Sequence, residues 1–519
     1  MTLMAQHGSK PMLRWVLLVI VLGIAASPAL PLVVLTLGQE PTRSLWTDAF
    51  SKSTGSTLYL GAGVSVFSLV IGLPLGLLAA LYRFPARRPL ILFQALPLLL
   101  PSFLLCIGWS NLAAAKWLWW LPTPDGLAGC VFVLGLQMMP LPFFATWAAG
   151  HNLTASQIDS VRLHGGERSV LTFSARACAP VAILAALLGG ILSLSDTGAP
   201  LIFGYRSAAV EIRTSFSALF DYELAGRQCL LLAGLALLLI APVLFVGLRL
   251  LAAAVLARQT RPAMPYPHRA LSWVAPGGLL LVLIVGVVVP TLGLCWPAAE
   301  NPMIERAATK VAATAGTTLI FTGGAAVIAV LFATLIALAT SASARGRLFV
   351  LAVLLLLLAM PPALAAIGVS RIATGAPPQL DWLMRSRLTV ALILGLRFLP
   401  VATVAMMFAT CGLSPSWRDA ARIHGVSRVR MFVRVTLPYL SFAIVVSLLL
   451  VMVLAATDIT TTHLLQPPGD QSLPVAIFTV MANSPEGLVA SLCLLYLLCV
   501  VLLLAAASQL PRLWSRRSA

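Results

Sequence analysis

The segment DAARIHGVSRVRMFVRVTLP, residues 419–438, is a charged stretch between two long apolar runs. A related stretch, DSVRLHGGERSVLTFSARACAP, spans residues 159–180. We call residues 159–180 the first charged segment and residues 419–438 the second charged segment. They share the pattern D-x-x-R-x-H-G-x-x-R at a separation of 260 residues, about half of the chain, which predicts an internal duplication. The matching residues are Asp159, Arg162, His164, Gly165 and Arg168 in the first segment and Asp419, Arg422, His424, Gly425 and Arg428 in the second.

The chain is too apolar for a water-soluble protein. Of its 519 residues, 60% are hydrophobic and 10% are charged, so we expect an all-α, multi-pass membrane protein in a lipid bilayer. The net charge of +18 is spread in short clusters between apolar runs, which is typical of membrane topology and not of nucleic-acid binding. The eight cysteines form no C-x-x-C pair and the six histidines no H-E-x-x-H pattern, so we expect neither disulfides nor a metal site.

Segments of about 20 apolar residues are long enough to cross a bilayer. The sequence contains twelve such segments, and Asp196 and Arg397 are the charged residues that fall inside them. We therefore predict twelve transmembrane helices. They span residues 15–37, 57–81, 89–112, 127–149, 179–203, 229–248, 271–296, 314–340, 348–370, 388–411, 436–456 and 487–510.

Lysine and arginine residues set the predicted orientation. With a cytoplasmic N-terminus, the cytoplasmic segments carry 21 of these residues and the outer segments carry 11. Because cytoplasmic loops of membrane proteins are enriched in positive charge, we predict that both termini and both charged segments are cytoplasmic.

Other landmarks repeat at nearly the same separation as the charged segments. GSTL at 55–58 matches GTTL at 316–319, and Pro101 matches Pro361. We therefore predict two tandem six-helix repeats. Since six is an even number, both repeats have the same orientation and are related by an axis along the membrane normal. The predicted boundaries are 1–248 for the first repeat, 249–270 for a proline-containing cytoplasmic linker, and 271–519 for the second repeat.

Each charged segment is predicted to form a helix, a glycine turn and a second helix that lie flat on the cytoplasmic face. In the second segment, Trp417, Ala420 and Ile423 recur at helical spacing. Gly425 permits a tight turn, and Pro438 is expected to open the next membrane helix. One interpretation is an amphipathic helix whose arginines bind lipid headgroups. The other is a docking surface for two identical partners, because lipid binding does not require the same residue pattern in both segments.

The second charged segment resembles the EAA loop of ABC-importer permeases, whose pattern is E-A-A, three residues, G, nine residues and I-x-L-P. Here residues 419–421 read D-A-A, Gly425 follows, and residues 435–438 read V-T-L-P. The first segment departs further from the pattern, because Pro180 falls two positions late. The duplicated arrangement of six helices is similar to the fused permeases of the iron(III) and thiamine importer group.

The resemblance implies a type I importer permease in a bacterial inner membrane that works by alternating access. Two copies of a cytoplasmic ATPase would dock on loops near 150–180 and 411–438, and an extracytoplasmic substrate-binding protein would deliver the cargo. The sequence contains no G-x-x-x-x-G-K-[ST] pattern, so ATP is expected to bind the partner. This chain is therefore expected to be a transport subunit without a cofactor, and not an enzyme. The alternative is a twelve-helix secondary transporter of the major-facilitator type.

Four polar residues are candidates for the translocation path. Arg397 lies about 15 Å into a predicted span, and its counterpart in the first repeat is Gln137. Arg397 either faces an anionic or chelated ligand or binds carbonyls or a buried acid. Asp196 and Asp458 lie near the outer ends of equivalent spans. They either line an outer gate or are ordinary helix-end acids.

Overall fold

The structure is a computed structural model, and the part of the chain that it describes is almost entirely helical. The predicted first span, 15–37, lies outside the described residues apart from Gly23. Helices dominate because a backbone in lipid must satisfy its own N–H and C=O groups within each segment. The described residues are 48–114, 124–256, 264–341, 344–375, 386–413, 415–481 and 483–518, with single residues at 23 and 382.

Twenty-two α-helices are numbered here in chain order within the described residues, and two of them are preceded by a short π-helical turn. The helices are α1 Asp48–Leu81, α2 Arg87–Phe93, α3 Leu96–Leu99, α4 Ser102–Ala114, α5 Gly126–Met138, α6 Pro140–Gly150, α7 Ala155–Ser193, α8 Gly198–Ile202, α9 Ala208–Ser217, α10 Tyr222–Leu256, α11 Leu271–Leu283, α12 Val289–Glu300, α13 Ile304–Thr340, α14 Ala344–Ala359, α15 Pro362–Gly375, α16 Arg387–Cys411, α17 Pro415–Ile423, α18 Arg428–Met431, α19 Leu437–Thr457, α20 Ile459–Leu465, α21 Leu473–Val480 and α22 Glu486–Ser518, and the π turns are Ile284–Val288 and Phe432–Thr436.

Nine described helices or helix runs are long and apolar enough to cross a membrane, and two bent pairs raise the number to eleven if each pair is one span. The bent pairs correct two predicted straight spans, 89–112 and 348–370. The chain bends by 92° between α3 and α4 and by 75° between α14 and α15. Pro101 and Pro361 lie at these breaks, where the missing N–H and the ring of proline end a helix.

The predicted span 179–203 also differs from the structure. Helix α7 begins at Ala155, far before the predicted start, and ends at Ser193. Asp196 therefore lies beyond the end of this helix and not inside it.

The described helices pack into two compact units. The N-unit lies within Glu40–Ile304 and Pro485–Leu494, and the C-unit within Glu305–Ser484 and Leu495–Ala519. Helices α11 and α12 thus belong to the N-unit, although their sequence follows the predicted linker. The two units are defined by how the helices pack. The boundaries of the two sequence repeats are a separate matter and stay a prediction.

Each unit has its own apolar core. In the N-unit, Phe143 and Met139 are fully buried against Leu279 of α11. In the C-unit, α16 contributes Leu394 and Leu399 to a core built around α13. Alanines face the neighbouring helices along α13, so adjacent backbones approach closely.

Two glycines bring α4 and α12 of the N-unit into backbone contact. A Cβ atom added at Gly293 would lie 2.0 Å from the carbonyl oxygen of Gly108, and one added at Gly108 would lie 2.2 Å from the carbonyl oxygen of Pro290. Backbone atoms cannot rotate away as a side chain can, so the helices would have to separate. This crossing fixes α12 against the bent α3–α4 pair.

Replacing Gly293 with alanine is therefore expected to destabilise the N-unit by about 1–3 kcal/mol, the usual cost of overpacking. The measurement is the thermal unfolding midpoint of the chain purified in mild detergent. Gly277→Ala is the matched control, because a Cβ atom at Gly277 of α11 meets nothing within 4 Å. An equal midpoint for both variants would contradict the close crossing.

Candidate functional site

The second charged segment forms a glycine turn at the predicted residue. Helix α17 ends beside Gly425, whose φ of +64° is the left-handed conformation that glycine adopts at low cost. The amide of Val426 donates to the carbonyl oxygen of Ala421 at 2.9 Å, and that of His424 donates to Ala420 at 3.0 Å. These bonds are typical of a glycine-capped helix end.

The second half of that segment differs from the prediction of a separate flat helix. Helix α18 continues through the π turn Phe432–Thr436 into α19, and Val429–Thr457 qualifies as one membrane span. The wider π turn accommodates Pro438, which has no N–H to complete the preceding turn. The charged segment therefore connects directly to a membrane helix.

The first charged segment begins with a well-defined helix cap. Thr154 Oγ1 accepts from the amide of Gln157 at 3.3 Å, and Gln157 Oε1 accepts from the amide of Thr154 at 3.1 Å. This reciprocal pair is a capping box, which fixes the start of α7.

The turn of the first segment lies one residue later than the alignment predicts. Gly166, and not Gly165, has a φ of +64°, with a ψ of −162°. This conformation is essentially restricted to glycine. The sequence offers two adjacent glycines, and the chain turns at the second of them.

Most of the predicted docking residues are open to a partner. Arg162 is half-buried and lies 3.4 Å from the Asp159 carboxylate, one helical turn away. The side chains of Arg422 and Arg428 lie outside the description. Exposed residues of the two segments are Asp159, His164, Gly165, Arg168, Asp419, His424 and Gly425.

An apolar side chain stands in each charged segment at a matching position. Leu163 is 86% exposed and Ile423 is 83% exposed, and they are 260 residues apart. Each lies between the shared arginine and the shared histidine. The sequence signal was present, because these are large aliphatic residues inside a polar pattern, but helical spacing alone assigns Ile423 to a packed face.

Arg397 has an acidic partner in the C-unit. Its Nε lies 2.7 Å from Oδ2 of Asp458, and the Asp458 side chain is 5% exposed. Arg397 Nη1 also donates to the carbonyl oxygen of Met360 at 3.3 Å, directly before the break between α14 and α15. The structure thus brings together two of the predicted path residues and gives the arginine the buried acid that was one of the two alternatives.

The first repeat builds the same contact with a neutral side chain. Gln137 Nε2 donates to the carbonyl oxygen of Leu100 at 2.7 Å. Gln137 matches Arg397 and Leu100 matches Met360, each at a separation of 260 residues. In both units a polar side chain therefore bonds the last carbonyl before a proline break, where the helix itself supplies no donor.

The two aspartates also make equivalent contacts. Asp196 Oδ1 accepts from the amide of Ala199 at 2.9 Å, and Asp458 Oδ1 accepts from the amide of Thr461 at 2.9 Å. Asp458 is the N-cap of α20, and Asp196, one residue before the N-cap of α8, accepts from an amide of that helix's first turn. The second oxygen of Asp196 accepts from Ser102 Oγ at 2.7 Å. That of Asp458 accepts from Thr461 Oγ1 at 2.8 Å and also faces Arg397.

A third matched contact joins α1 to α9 in the N-unit and α13 to α21 in the C-unit. Thr57 Oγ1 accepts from the amide of Ala208, and Thr318 Oγ1 accepts from the amide of Leu473, both at 2.8 Å. These threonines occupy the same position in the GSTL and GTTL sequences. Each amide is the first of its helix, α9 or α21.

Comparison with known proteins finds a similarity in the second half of the chain. Residues 327–515 match the family model of the binding-protein-dependent transport system inner membrane component. The matched segment contains the second charged segment and the Arg397–Asp458 pair. The chain is therefore a multi-pass membrane protein, and its residues 327–515 are similar to this transport component. No curated protein and no solved structure matches it.

Proposed function

We propose that this chain is the transmembrane permease subunit of an ATP-driven, binding-protein-dependent importer, with two tandem permease repeats. The observation that carries the proposal is the set of equivalent hydrogen bonds in the two halves. Gln137 and Arg397 bond carbonyls that are 260 residues apart, and Thr57 and Thr318 bond the first amides of equivalent helices. Since residues 327–515, which include Met360, Arg397 and Leu473, match a permease family, repetition of these contacts in the first half supports a second permease repeat.

The two charged segments are the proposed ATPase-docking loops, one in each repeat. Each presents an exposed aspartate and histidine around an exposed aliphatic side chain, Leu163 or Ile423. An apolar side chain with a polar rim is the composition of a protein-binding surface. Lipid-headgroup binding explains the arginines but not the matched aspartates. The proposed partner is a cytoplasmic ATPase, of which one copy docks on each loop.

The proposed cargo is a small solute of the kind carried by iron(III) and thiamine importers, delivered by a substrate-binding protein at the outer face. This proposal rests on the resemblance of the duplicated chain to fused permeases of that group. Arg397 is paired with Asp458 in this conformation, so a role in binding an anionic cargo would require that pair to open. The family match favours this function over a major-facilitator secondary transporter.

The test is purification of the tagged chain from its native membrane in mild detergent, followed by mass spectrometry of the proteins that accompany it. We expect an ATPase with a phosphate-binding loop at two copies per chain, together with a substrate-binding protein. A chain that is isolated alone and takes up solute under an ion gradient in liposomes would overturn the proposal.

A further inference from the structure

The described end of the linker is bound to the end of the first long helix of the N-unit. The amide of Tyr266 donates to the carbonyl oxygen of Leu81 at 3.0 Å, and the amide of Arg83 donates to that of Tyr266 at 2.9 Å. Together they form a short parallel bridge between Tyr82 and Tyr266. The rings of these two tyrosines also meet edge to face, with centroids 5.1 Å apart. A linker predicted from its prolines as a simple connection is therefore anchored at this point.

Both tyrosines converge on the first charged segment. The hydroxyls of Tyr82 and Tyr266 donate to the same carboxylate oxygen of Glu167, the residue directly after the left-handed Gly166. Tyr82 is fully buried. Burial, with the hydrogen bonds to Glu167, raises the pKa of both tyrosines, so both hydroxyls stay protonated and act as donors.

The same cluster holds the helix on the other side of the glycine turn. Arg162 Nε lies 3.5 Å from Glu167 Oε2, and its guanidinium carbon lies 3.9 Å from the centre of the Tyr266 ring. This is cation–π geometry combined with an ion pair. Arg162 precedes Gly166 in the sequence and Glu167 follows Gly166. The cluster therefore connects the two helical segments on either side of the turn. We call Tyr82, Arg162, Glu167 and Tyr266 the clasp.

The clasp is connected to two membrane helices besides α7. Tyr82 follows α1 directly. On the other side, Tyr266 is two residues from His268, whose Nδ1 accepts from the amide of Leu271 at 3.2 Å at the start of α11. The amide of His268 in turn donates to Ser272 Oγ at 2.9 Å. A movement of the first charged segment therefore reaches α1 and α11 through short, bonded connections.

The second charged segment has no counterpart of the clasp in its sequence. At a separation of 260 residues, Tyr82 corresponds to Ala342 and Glu167 to Ser427. Neither residue has an aromatic ring or a carboxylate. The linker that supplies Tyr266 occurs once in the chain, so the two segments differ in how they are held.

We propose that Tyr82, Glu167 and Tyr266 are positioning residues that lock the first docking loop to the inter-repeat linker, so that the two loops transmit ATPase movement unequally. The transmission part of this inference rests on the proposed function. The first loop acts as a rigid lever on α1 and α11, whereas the second acts mainly on α19, into which it runs directly.

Hydrogen exchange of the full chain, alone and with its co-purified ATPase, tests the clasp without knowledge of the cargo. In the unaltered chain we expect slower amide exchange at residues 155–170 than at 415–430. Tyr266→Phe keeps the ring over Arg162 but removes the hydroxyl, and Glu167→Gln weakens the acceptor. Each is expected to speed exchange at 155–170 by roughly tenfold, as for loss of a hydrogen bond to a charged group, with no change at 415–430.

Adding Mg-ATP and vanadate to the complex tests transmission. We expect exchange at residues 264–275 to change in the unaltered complex and not in Tyr266→Phe, although the ATPase copy number stays the same. Tyr205→Phe is the matched control, because it removes another tyrosine hydroxyl of the N-unit, one bonded to the carbonyl oxygen of Ser56 at 2.7 Å. It is expected to alter neither measurement.

Equal exchange of the two loops in the unaltered chain, or no effect of Tyr266→Phe and Glu167→Gln on residues 155–170, would overturn the clasp. A retained nucleotide response at 264–275 in Tyr266→Phe would overturn its transmission role. Absence of a co-purified ATPase would instead refute the proposed function, and the exchange of the chain alone would still decide whether the clasp exists.

Discussion

Replacing Arg397 with glutamine is expected to destabilise the C-unit by about 3–5 kcal/mol, because it removes one partner of a buried ion pair. The Asp458 carboxylate is 5% exposed and has Arg397 as its cationic neighbour at 2.7 Å. Without that charge the carboxylate remains buried among apolar helices. Glutamine can still donate to the Met360 carbonyl, as Gln137 does to Leu100 in the N-unit, so the loss isolates the ion pair.

The measurement is the amount of chain in the membrane together with its unfolding midpoint in detergent. The double variant Arg397→Gln with Asp458→Asn is expected to recover most of the lost stability, since it removes both charges. Asparagine retains an oxygen that can accept from the Thr461 amide and keep the cap of α20.

Arg387→Gln is the matched control for that experiment. It makes the same substitution at the start of the same helix, α16, where Arg387 Nε lies 2.6 Å from Asp470 but is half exposed. The Arg387–Asp470 pair is bidentate, but its half-exposed arginine is screened by water, so this variant is expected to lose less stability than Arg397→Gln. Equal stability of Arg397→Gln and Arg387→Gln would contradict the bracing role of Arg397.

The double variant also distinguishes a structural role of the Arg397–Asp458 pair, here called a brace, from direct contact of Arg397 with the cargo. If the pair is a brace, the stable double variant keeps its response to ATPase binding and its transport. If the Arg397 charge contacts the cargo during transport, the double variant is abundant and stable but inactive. The structure favours bracing, because the arginine bonds the carbonyl before a helix break.

The periodic features of this protein were predictable from its sequence. The long apolar segments of the sequence indicated where the described membrane helices lie. Alignment of the two halves matched Thr57 with Thr318 and Gln137 with Arg397. These pairs make matching hydrogen bonds because the same helix ends recur in both units. Pro101 and Pro361 lie at the breaks of the two bent pairs and could have indicated them. The apolar segments continue across both prolines, however, and so predicted straight helices.

Contacts between residues that are far apart in the sequence could not be predicted from a repeated pattern. Arg397 and Asp458 are 61 residues apart, and Tyr82 and Tyr266 lie on different segments of the N-unit. No spacing rule connects them, since their approach depends on how whole helices cross. The position of the first turn was also ambiguous, because Gly165 and Gly166 are equally able to adopt a positive φ, and the structure has the turn at the second.

Replacing both Leu163 and Ile423 with aspartate is expected to abolish co-purification of the ATPase. Both side chains are more than four-fifths exposed in the chain alone, so the change has little effect on folding. In a docked complex each would be buried at the centre of a polar rim, where a carboxylate is poorly tolerated. Loss of a central apolar contact weakens binding by about 2–4 kcal/mol, which corresponds to roughly 30- to 1,000-fold.

Each single variant is expected to retain one ATPase copy per chain, since the other loop is intact. Leu219→Asp serves as the control, because Leu219 is also an exposed leucine of the N-unit, at 57%, but follows α9 in a loop predicted to face outward. Two ATPase copies on the double variant would refute docking through these segments. Membrane binding through arginines alone predicts no loss in any of the three variants, so the two interpretations of the charged segments give opposite results.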